Sequence, residues 1–569
     1  MQRSHEFRVV AQDPTVVDGN QQILTAVVKV PWEPLDEGPR GHRVAVIDFD
    51  ATTGRLYDPW MPDPARRSPR APSNQQIETD AAFHAQHTYA VVMRTLARFE
   101  KALGRRVEWA FDGQQLKVAP HAFRHANAFY SRDHQALLFG YFPSRERPGS
   151  WVWSCLSHDV VAHETTHAIV DGLRRRFLDR SHPDQAAFHE GYADVVALLS
   201  VFSLPLVVEQ LLWKEKEWKG EEPMVDPQTQ LIARSHLSVE RLRHASLFGL
   251  AEQLGSEMSG GREEVLRRSA SLDPQAGLEW PDEPHERGEI FAAALLNSFV
   301  AAWSGRLRRL GDRVGALHMS QVAEEASAAA ETLLDIIIRA LDYTPPVDLR
   351  FEDFLAALLT SDSRVRPDDS RWSYRAVIRD CFRRYRIHPP EGTTDDGTWY
   401  PATRLRLVYD HTHLESIQRS PEEVFRFLWA NRQELGITDQ AYAHVLSVRP
   451  SLRVGEDGFL LRETVAEYKQ DVDLTAGDLH RFDVRQPDGM PDDQPLRLSG
   501  GGTLVFDEYG RLELHVYQRV FGRRQTERLQ SMWSLGLIPR DLPEVSGLLS
   551  PFGVWHQRRA ARDVSPKGW

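Results

Sequence analysis

Cysteine is nearly absent from this 569-residue chain: there are two, Cys155 and Cys381. They lie far apart in sequence and neither forms a C-x-x-C pair, which argues against a disulfide framework or a cysteine-pair metal site. Cys155 opens an apolar helical run and is read as a small core residue. Basic charge is also in deficit. With 69 Lys and Arg against 81 Asp and Glu, the net charge is −12, the wrong sign for the basic footprint that nucleic-acid binding needs. No uninterrupted apolar stretch approaches the roughly 20 residues of a membrane span. Residues 1–17 carry no apolar segment of the kind a signal peptide requires. Internal repeats and low-complexity tracts are missing too. The expectation is a reduced, cytoplasmic protein that engages neither membrane nor nucleic acid.

The length is too great for one ordinary core, so several domains are expected. Residues 22–60 read as strands and turns, with β-rich runs at 23–30 and 43–48. Residues 61–75, rich in proline, arginine and serine, read as a linker or exposed loop. Helical periodicity occupies about 76–103, and extended segments follow at 107–110 and 135–142. Beyond Trp151 helical patterns dominate, at roughly 155–177, 186–216, 237–258, 287–310, 317–342, 349–360 and 371–386. The apolar face with Leu333, Leu334, Ile337 and Ile338 is read as core packing. Residues 389–401 are rich in Pro, Gly, Thr and Asp and mark the clearest boundary. After it come helices near 420–434 and 523–534, and a hairpin in 504–517 turning at Glu508-Tyr509-Gly510. The fold class is thus α+β: a β-rich N-terminal lobe (1–150), a helical lobe (151–390) and a C-terminal α+β domain of unknown role (391–569). Residues from about Asp395 onward are expected to be dispensable for the chemistry of the earlier part.

That chemistry is announced by His163-Glu164-Thr165-Thr166-His167, an H-E-x-x-H pattern inside a helix-compatible run. Helical positions four apart share a face, so both imidazoles can reach one ion. Glu164 is placed to take a proton from water on the open side of a zinc ion, which lowers the pKa of such water to about 7. A second helical run, Phe188-His189-Glu190-Gly191-Tyr192-Ala193-Asp194, supplies Glu190 as third ligand, leaving the fourth position to water. Asp194, one turn later, can accept from the second nitrogen of a ligand histidine and fix its tautomer. Residues 195–208 carry no charge, so this helix is read as buried, and buried carboxylates need strong partners. The cofactor implied is Zn2+.

With these elements the sequence resembles the thermolysin-like zinc peptidases, the glutamate-ligand branch of the H-E-x-x-H enzymes. Residues 159–168 resemble the family's active-site helix, and Glu190-x-x-x-Asp194 its E-x-x-x-D element. Upstream, Asn127-Ala128-Phe129-Tyr130 is similar to the family's substrate-binding edge strand. The resemblance implies that the Asn127 side chain and the Ala128 carbonyl pair with a peptide backbone, sequence-tolerant recognition by strand addition. Downstream, Glu283-Pro284-His285-Glu286-Arg287-Gly288 is similar to the element that carries the family's transition-state histidine. His285 is thereby implied as donor to the oxyanion. The resemblance covers about residues 20–390 and implies a two-lobe core, peptide or protein substrates and metallo-endopeptidase activity. Two departures stand out. No tyrosine lies between His167 and Glu190, where the family has its oxyanion tyrosine, leaving Tyr192 or another residue to substitute. The acidic cluster that binds structural calcium is missing as well. Rival readings are a zinc-stabilised scaffold that has lost turnover, favoured by the missing tyrosine, and a metallohydrolase of a non-peptide substrate.

Other signals weigh less. Arg371, Arg375, Arg379 and Arg383 form a basic helical stripe, read as solvated or paired with neighbouring carboxylates. His158 and His189 adjoin the metal elements and are candidates to support the ligands. His121, His125, His134 and His182 are read as surface residues. Gly500-Gly501-Gly502 is read as preceding a strand, which does not suit a phosphate loop.

Overall fold

A computed structural model describes residues 4–62, 71–145, 147–179, 181–214, 222–247, 280–281, 283–310, 315–455 and 458–538. Helix and sheet are mixed throughout, so the protein is α+β. Strands β1 (Ser4–Val10) and β2 (Thr25–Pro31) form an antiparallel pair. They are followed by β3 (Val44–Val46) and the short pair β4 (Phe49–Asp50) and β5 (Arg55–Leu56). Next come α1 (Asn74–Thr79) and α2 (Ala81–Leu103). Their starts are fixed locally: Ser73 and Gln76 cap α1 reciprocally, and the Asp80 carboxylate accepts from the Ala82 amide.

Four strands complete the N-terminal sheet: β6 (Leu116–Phe123), β7 (Ala128–Ser131), β8 (Ala136–Pro143) and β9 (Trp151–Trp153). The order is β3-β6-β8-β7, with β9 also on β8. Strands β3, β6 and β8 run parallel and β7 pairs antiparallel with β8, which leaves β7 at the sheet edge. Residues 107–110, expected to be extended, pair with no strand. Most of the 61–75 segment lies outside the described residues.

The helical region contains α3 (His158–Leu173), α4 (Pro183–Phe202), α5 (Pro205–Lys214), β10 (Leu231–Ala233), α6 (Val239–Leu247), α7 (Pro284–Leu310), β11 (Ala316–His318), α8 (Met319–Ala340), α9 (Phe351–Val365) and α10 (Tyr374–Arg384). The pattern over 186–216 is two helices meeting at 85°. Pro205 explains the break, since its ring cannot continue the hydrogen-bonded ladder of α4. The rest of the expected 237–258 helix lies outside the described residues. Taken singly, one described helix, α7, is long and apolar enough to cross a membrane, and 83% of that stretch is buried within the protein. Leu333, Leu334, Ile337 and Ile338 of α8 are core residues, as expected. Three of the four stripe arginines are paired, Arg375 with Asp362, Arg379 with Asp396 and Arg383 with Asp380, while Arg371 precedes the helix and lies over the Trp372 ring.

The C-terminal part holds α11 (Pro421–Ala430), β12 (Tyr442–Val454), β13 (Leu460–Thr475), β14 (Pro495–Phe506), β15 (Leu512–Gln518) and α12 (Arg523–Ser534). Its four strands form an antiparallel meander in chain order. The glycine triplet lies inside β14 rather than ahead of it, where side chains at Gly501 and Gly502 would run into Tyr468. Two apolar clusters belong to this part alone. The principal core runs from Phe7 to Ile387 and takes in Val505 and Leu514. Gly104, in the left-handed conformation at φ 70° that ends α2, accepts from the Leu452 amide at 3.0 Å, and a side chain there would strike the Leu452 carbonyl.

Buried charge closes this seam. Arg174, at the end of α3, pairs with Glu467 at 2.6 Å and also donates to the Leu341 carbonyl. Arg453 of β12 pairs with both Asp342 and Glu463. Arg105 adds a second guanidinium on Asp342, and Arg364 a second on Glu463 at 2.8 Å. Residues 389–401 therefore link two regions that share an interior, and Trp399 within them packs on the principal core.

Candidate metal centre

Helix α3 is buried at all 16 positions. A fully enclosed helix must satisfy its polar groups internally. Thr165 and Thr166 do so by donating to the carbonyls of Val161 and Ala162, at 2.6 and 2.7 Å. His163 and His167 fall one turn apart, and their Nε2 atoms face each other at 2.9 Å. Glu190 reaches the same point from α4: its oxygens lie 3.7 Å from His163 Nε2 and 3.8 Å from His167 Nε2. The donor atoms of the three residues lie within 4.8 Å of one another, and all three side chains are buried.

The outer nitrogens are occupied as ligand histidines require. His163 Nδ1 lies 2.9 Å from Asp194 Oδ1, placing Asp194 where its spacing from Glu190 put it. His167 Nδ1 lies 3.2 Å from His189 Nδ1. Burial holds His189 down at about 4, so it is neutral near pH 7 and able to accept from His167. Both ligand rings then turn Nε2 lone pairs toward the Glu190 carboxylate. Two imidazoles and a carboxylate converging in this way are chemically suited to a transition metal. This buried group can hold a metal ion.

Four further expected residues, Glu164, Asn127, Ala128 and His285, are placed around this group. Glu164 Oε2 accepts from the Tyr130 amide of β7 at 3.0 Å, tying the carboxylate to the edge strand. The Gly140 amide of β8 donates to Asn127 O, so the alternation of an antiparallel pair turns the backbone groups of Ala128 and Tyr130 to the opposite, edge side. Asn127 Oδ1 accepts from the Ala128 amide at 3.0 Å, holding that side chain along the edge. His285, at the start of α7, brings Nδ1 to 3.5 Å from Glu190 Oε2. Its approach depends on glycine: a side chain on Gly191 would sit 2.5 Å from the Gly288 carbonyl, and one on Gly288 2.8 Å from the Ala187 carbonyl. The backbones of α4 and α7 touch there, and Arg287 fixes the crossing through Asp184 at 2.5 Å.

Tyr192 is not available as an oxyanion donor. It points away from Glu190 into the core, its ring among Phe99, Phe188 and Phe354, its hydroxyl toward the Ile337 carbonyl. Of the two adjoining histidines only His189 supports a ligand; His158 faces Arg94 at 3.2 Å. Sequence reasoning passed over Asp171, wholly buried one turn beyond His167, which accepts from the Tyr130 hydroxyl at 3.0 Å and from Arg132 Nε at 2.8 Å. Its i+4 position after His167, the spacing that separates Asp194 from Glu190, was the signal that could have found it. Compared with known proteins, the chain matches no family model and no curated protein.

Proposed function

We propose that the protein is a zinc metallopeptidase with a thermolysin-like two-lobe core, hydrolysing peptide bonds with Glu164 as general base. One observation carries this reading. The His163–His167–Glu190 group is joined through Glu164 to an edge strand, so a metal site, a base and a strand-addition surface meet at one place. His163, His167 and Glu190 would hold the zinc, with Asp194 and His189 orienting the rings. When bound, zinc supplies Lewis-acid chemistry, polarising a carbonyl oxygen and acidifying water.

The chain's own groups account for the rest. An extended peptide adds antiparallel to β7 through the outward carbonyl of Ala128 and the amide side chain of Asn127. Glu164, held by the Tyr130 amide beside that strand, takes the proton of the attacking water and returns it to the leaving amine. His285, protonated, donates to the developing oxyanion. A second reading, a zinc-stabilised scaffold without turnover, is favoured by the burial of every ligand side chain.

The test is Glu164→Gln compared with wild type in cleavage profiling of a complex peptide mixture, with metal content measured alongside. The variant should keep its metal and lose about 10²–10⁴-fold in rate. Near wild-type hydrolysis by the variant would remove Glu164 from the mechanism. Wild type that holds metal and cleaves no peptide would leave the scaffold.

A further inference from the structure

A second buried group of metal-ligating side chains lies in the N-terminal region, made by four elements. His84 is in the first turn of α2, His121 is on β6, Cys155 is in the 3-10 turn after β9, and Asp48 follows β3. Both histidines are 1% exposed and Cys155 is wholly buried. The surface position expected for His121 is therefore wrong. Its ring lies between Tyr57 and Trp153, with centroids 4.5 and 4.7 Å away. A donor atom from each of His84, His121 and Cys155 lies within 4.8 Å of the other two.

The outer hydrogen bonds decide which nitrogens face inward. His84 Nε2 lies 2.7 Å from the Ile77 carbonyl, which can only accept, so Nε2 carries the proton and Nδ1 presents a lone pair. His121 Nδ1 lies 2.7 Å from Asp48 Oδ2, while Asp48 Oδ1 takes the His121 amide at 2.9 Å. The carboxylate accepts from Nδ1–H, leaving the lone pair on His121 Nε2. The two lone pairs face each other at 2.7 Å. One electrophile shared by both nitrogens would satisfy the pair. A shared proton would be balanced by Asp48 and would leave Cys155 without a part in the group. A metal ion meets both lone pairs and reaches Cys155 as well. With a divalent ion, the Asp48 carboxylate and a Cys155 thiolate bring the charge of the group to zero.

We propose that His84, His121 and Cys155 bind a second transition-metal ion of the zinc–copper class, with Asp48 and the Ile77 carbonyl orienting the two imidazoles. Carboxylate–histidine–metal and carbonyl–histidine–metal arrangements are the usual supports of such ligands, and a donor set of two imidazole nitrogens and one thiolate sulfur suits borderline metals. The role is structural. The ion ties the start of α2 to the parallel sheet and to the turn three residues ahead of α3, bracing the helix that carries His163 and His167. The proposal stands independently of peptidase activity.

The first metal centre contains no sulfur, which makes the second separately observable. The full-length protein is analysed for zinc and copper, then stripped and reconstituted with cobalt(II). Two metal equivalents per chain are expected, and the cobalt protein should show a thiolate-to-metal charge-transfer band. Cys155→Ser should lose the band and one equivalent, His163→Ala should lose one equivalent and keep the band, and Cys381→Ser should keep both. Folded wild-type protein that takes up a single equivalent and shows no thiolate band overturns the proposal, without relying on any variant to fold. So does a band that survives in Cys155→Ser.

Discussion

The metal centre and the seam beneath the C-terminal sheet both bury carboxylates, and each surrounds them with different company. At the seam Asp342 is met by Arg105 and Arg453, Glu463 by Arg453 and Arg364, and Glu467 by Arg174 and Arg449. At the metal centre Glu190 is met by the imidazoles of His163, His167 and His285. Guanidinium groups carry permanent charge and complete a lock on their own. His163 and His167 turn lone pairs toward that carboxylate, which leaves a cation to be supplied from outside the chain. The company a buried acid keeps thus separates a place built to stay closed from one built to bind.

The largest consequence concerns the seam. Expressing residues 1–394 alone strips Arg174 of Glu467, Asp342 of Arg453 and Arg364 of Glu463, and exposes the core around Val505 and Leu514. The fragment should be insoluble or unfolded, read by soluble yield and circular dichroism. A soluble fragment that folds and binds zinc would break the comparison and restore a dispensable C-terminal domain.

A single lesion sharpens it. Arg453→Ala leaves Asp342 and Glu463 buried with one guanidinium fewer each, and breaking a buried pair from one side costs about 3–5 kcal/mol. Denaturant unfolding should show a loss of this size, while the folded variant keeps full metal stoichiometry. Equal damage to metal content would mean that the seam and the metal centre are one cooperative unit.

The difference between the two regions was only half visible in the sequence. The juxtaposition of His163, His167 and Glu190 was legible because its information is local: His163 and His167 need only share a face, and Glu190 and Asp194 repeat that spacing on α4. His285 rested on a resemblance, and its arrival at Glu190 depends on the Gly191–Gly288 contact, which no spacing encodes. Asp171 was missed because its partners Tyr130 and Arg132 are about forty residues upstream. His121 was misread for a similar reason. A lone histidine on a strand shows which face it occupies only when its neighbours are known. The boundary expected at 389–401 rests on local composition, whereas the ion pairs that cross it are made by arginines spread from Arg105 to Arg453, which no local pattern reveals.

A smaller effect tests how the metal centre is supported. Asp194→Asn keeps the shape beside His163 Nδ1 and removes the charge that fixes its tautomer. Loss of such a partner costs about 10–100-fold in metal affinity, measured by competition with a chelator of known strength. Unchanged affinity would show that Asp194 does not orient His163, and that Glu190 and His189 suffice.

The smallest effect lies between the two regions, where Asp184 at the start of α4 pairs with Arg287 of α7 and accepts from the Phe351 amide at 3.2 Å. Burial alone would raise its pKa, but His182 and Arg287 outweigh it and bring the group down to about 2 from an ordinary 3.8. A carboxyl group whose folded pKa lies below its unfolded one adds stability that is complete above the unfolded value. That stability is lost as pH falls through the folded one. The window is therefore about pH 4 down to about pH 2, and the contribution about 2 kcal/mol at most. Asp184→Asn should unfold more readily than wild type at neutral pH, and the gap should close as both are titrated through that window. The measurement is denaturant unfolding of the two proteins at a series of pH values. A gap that stays constant down to pH 2 would mean that the Arg287 pairing does not draw on the charge of Asp184, and that the α4–α7 crossing is held by the glycine contact alone.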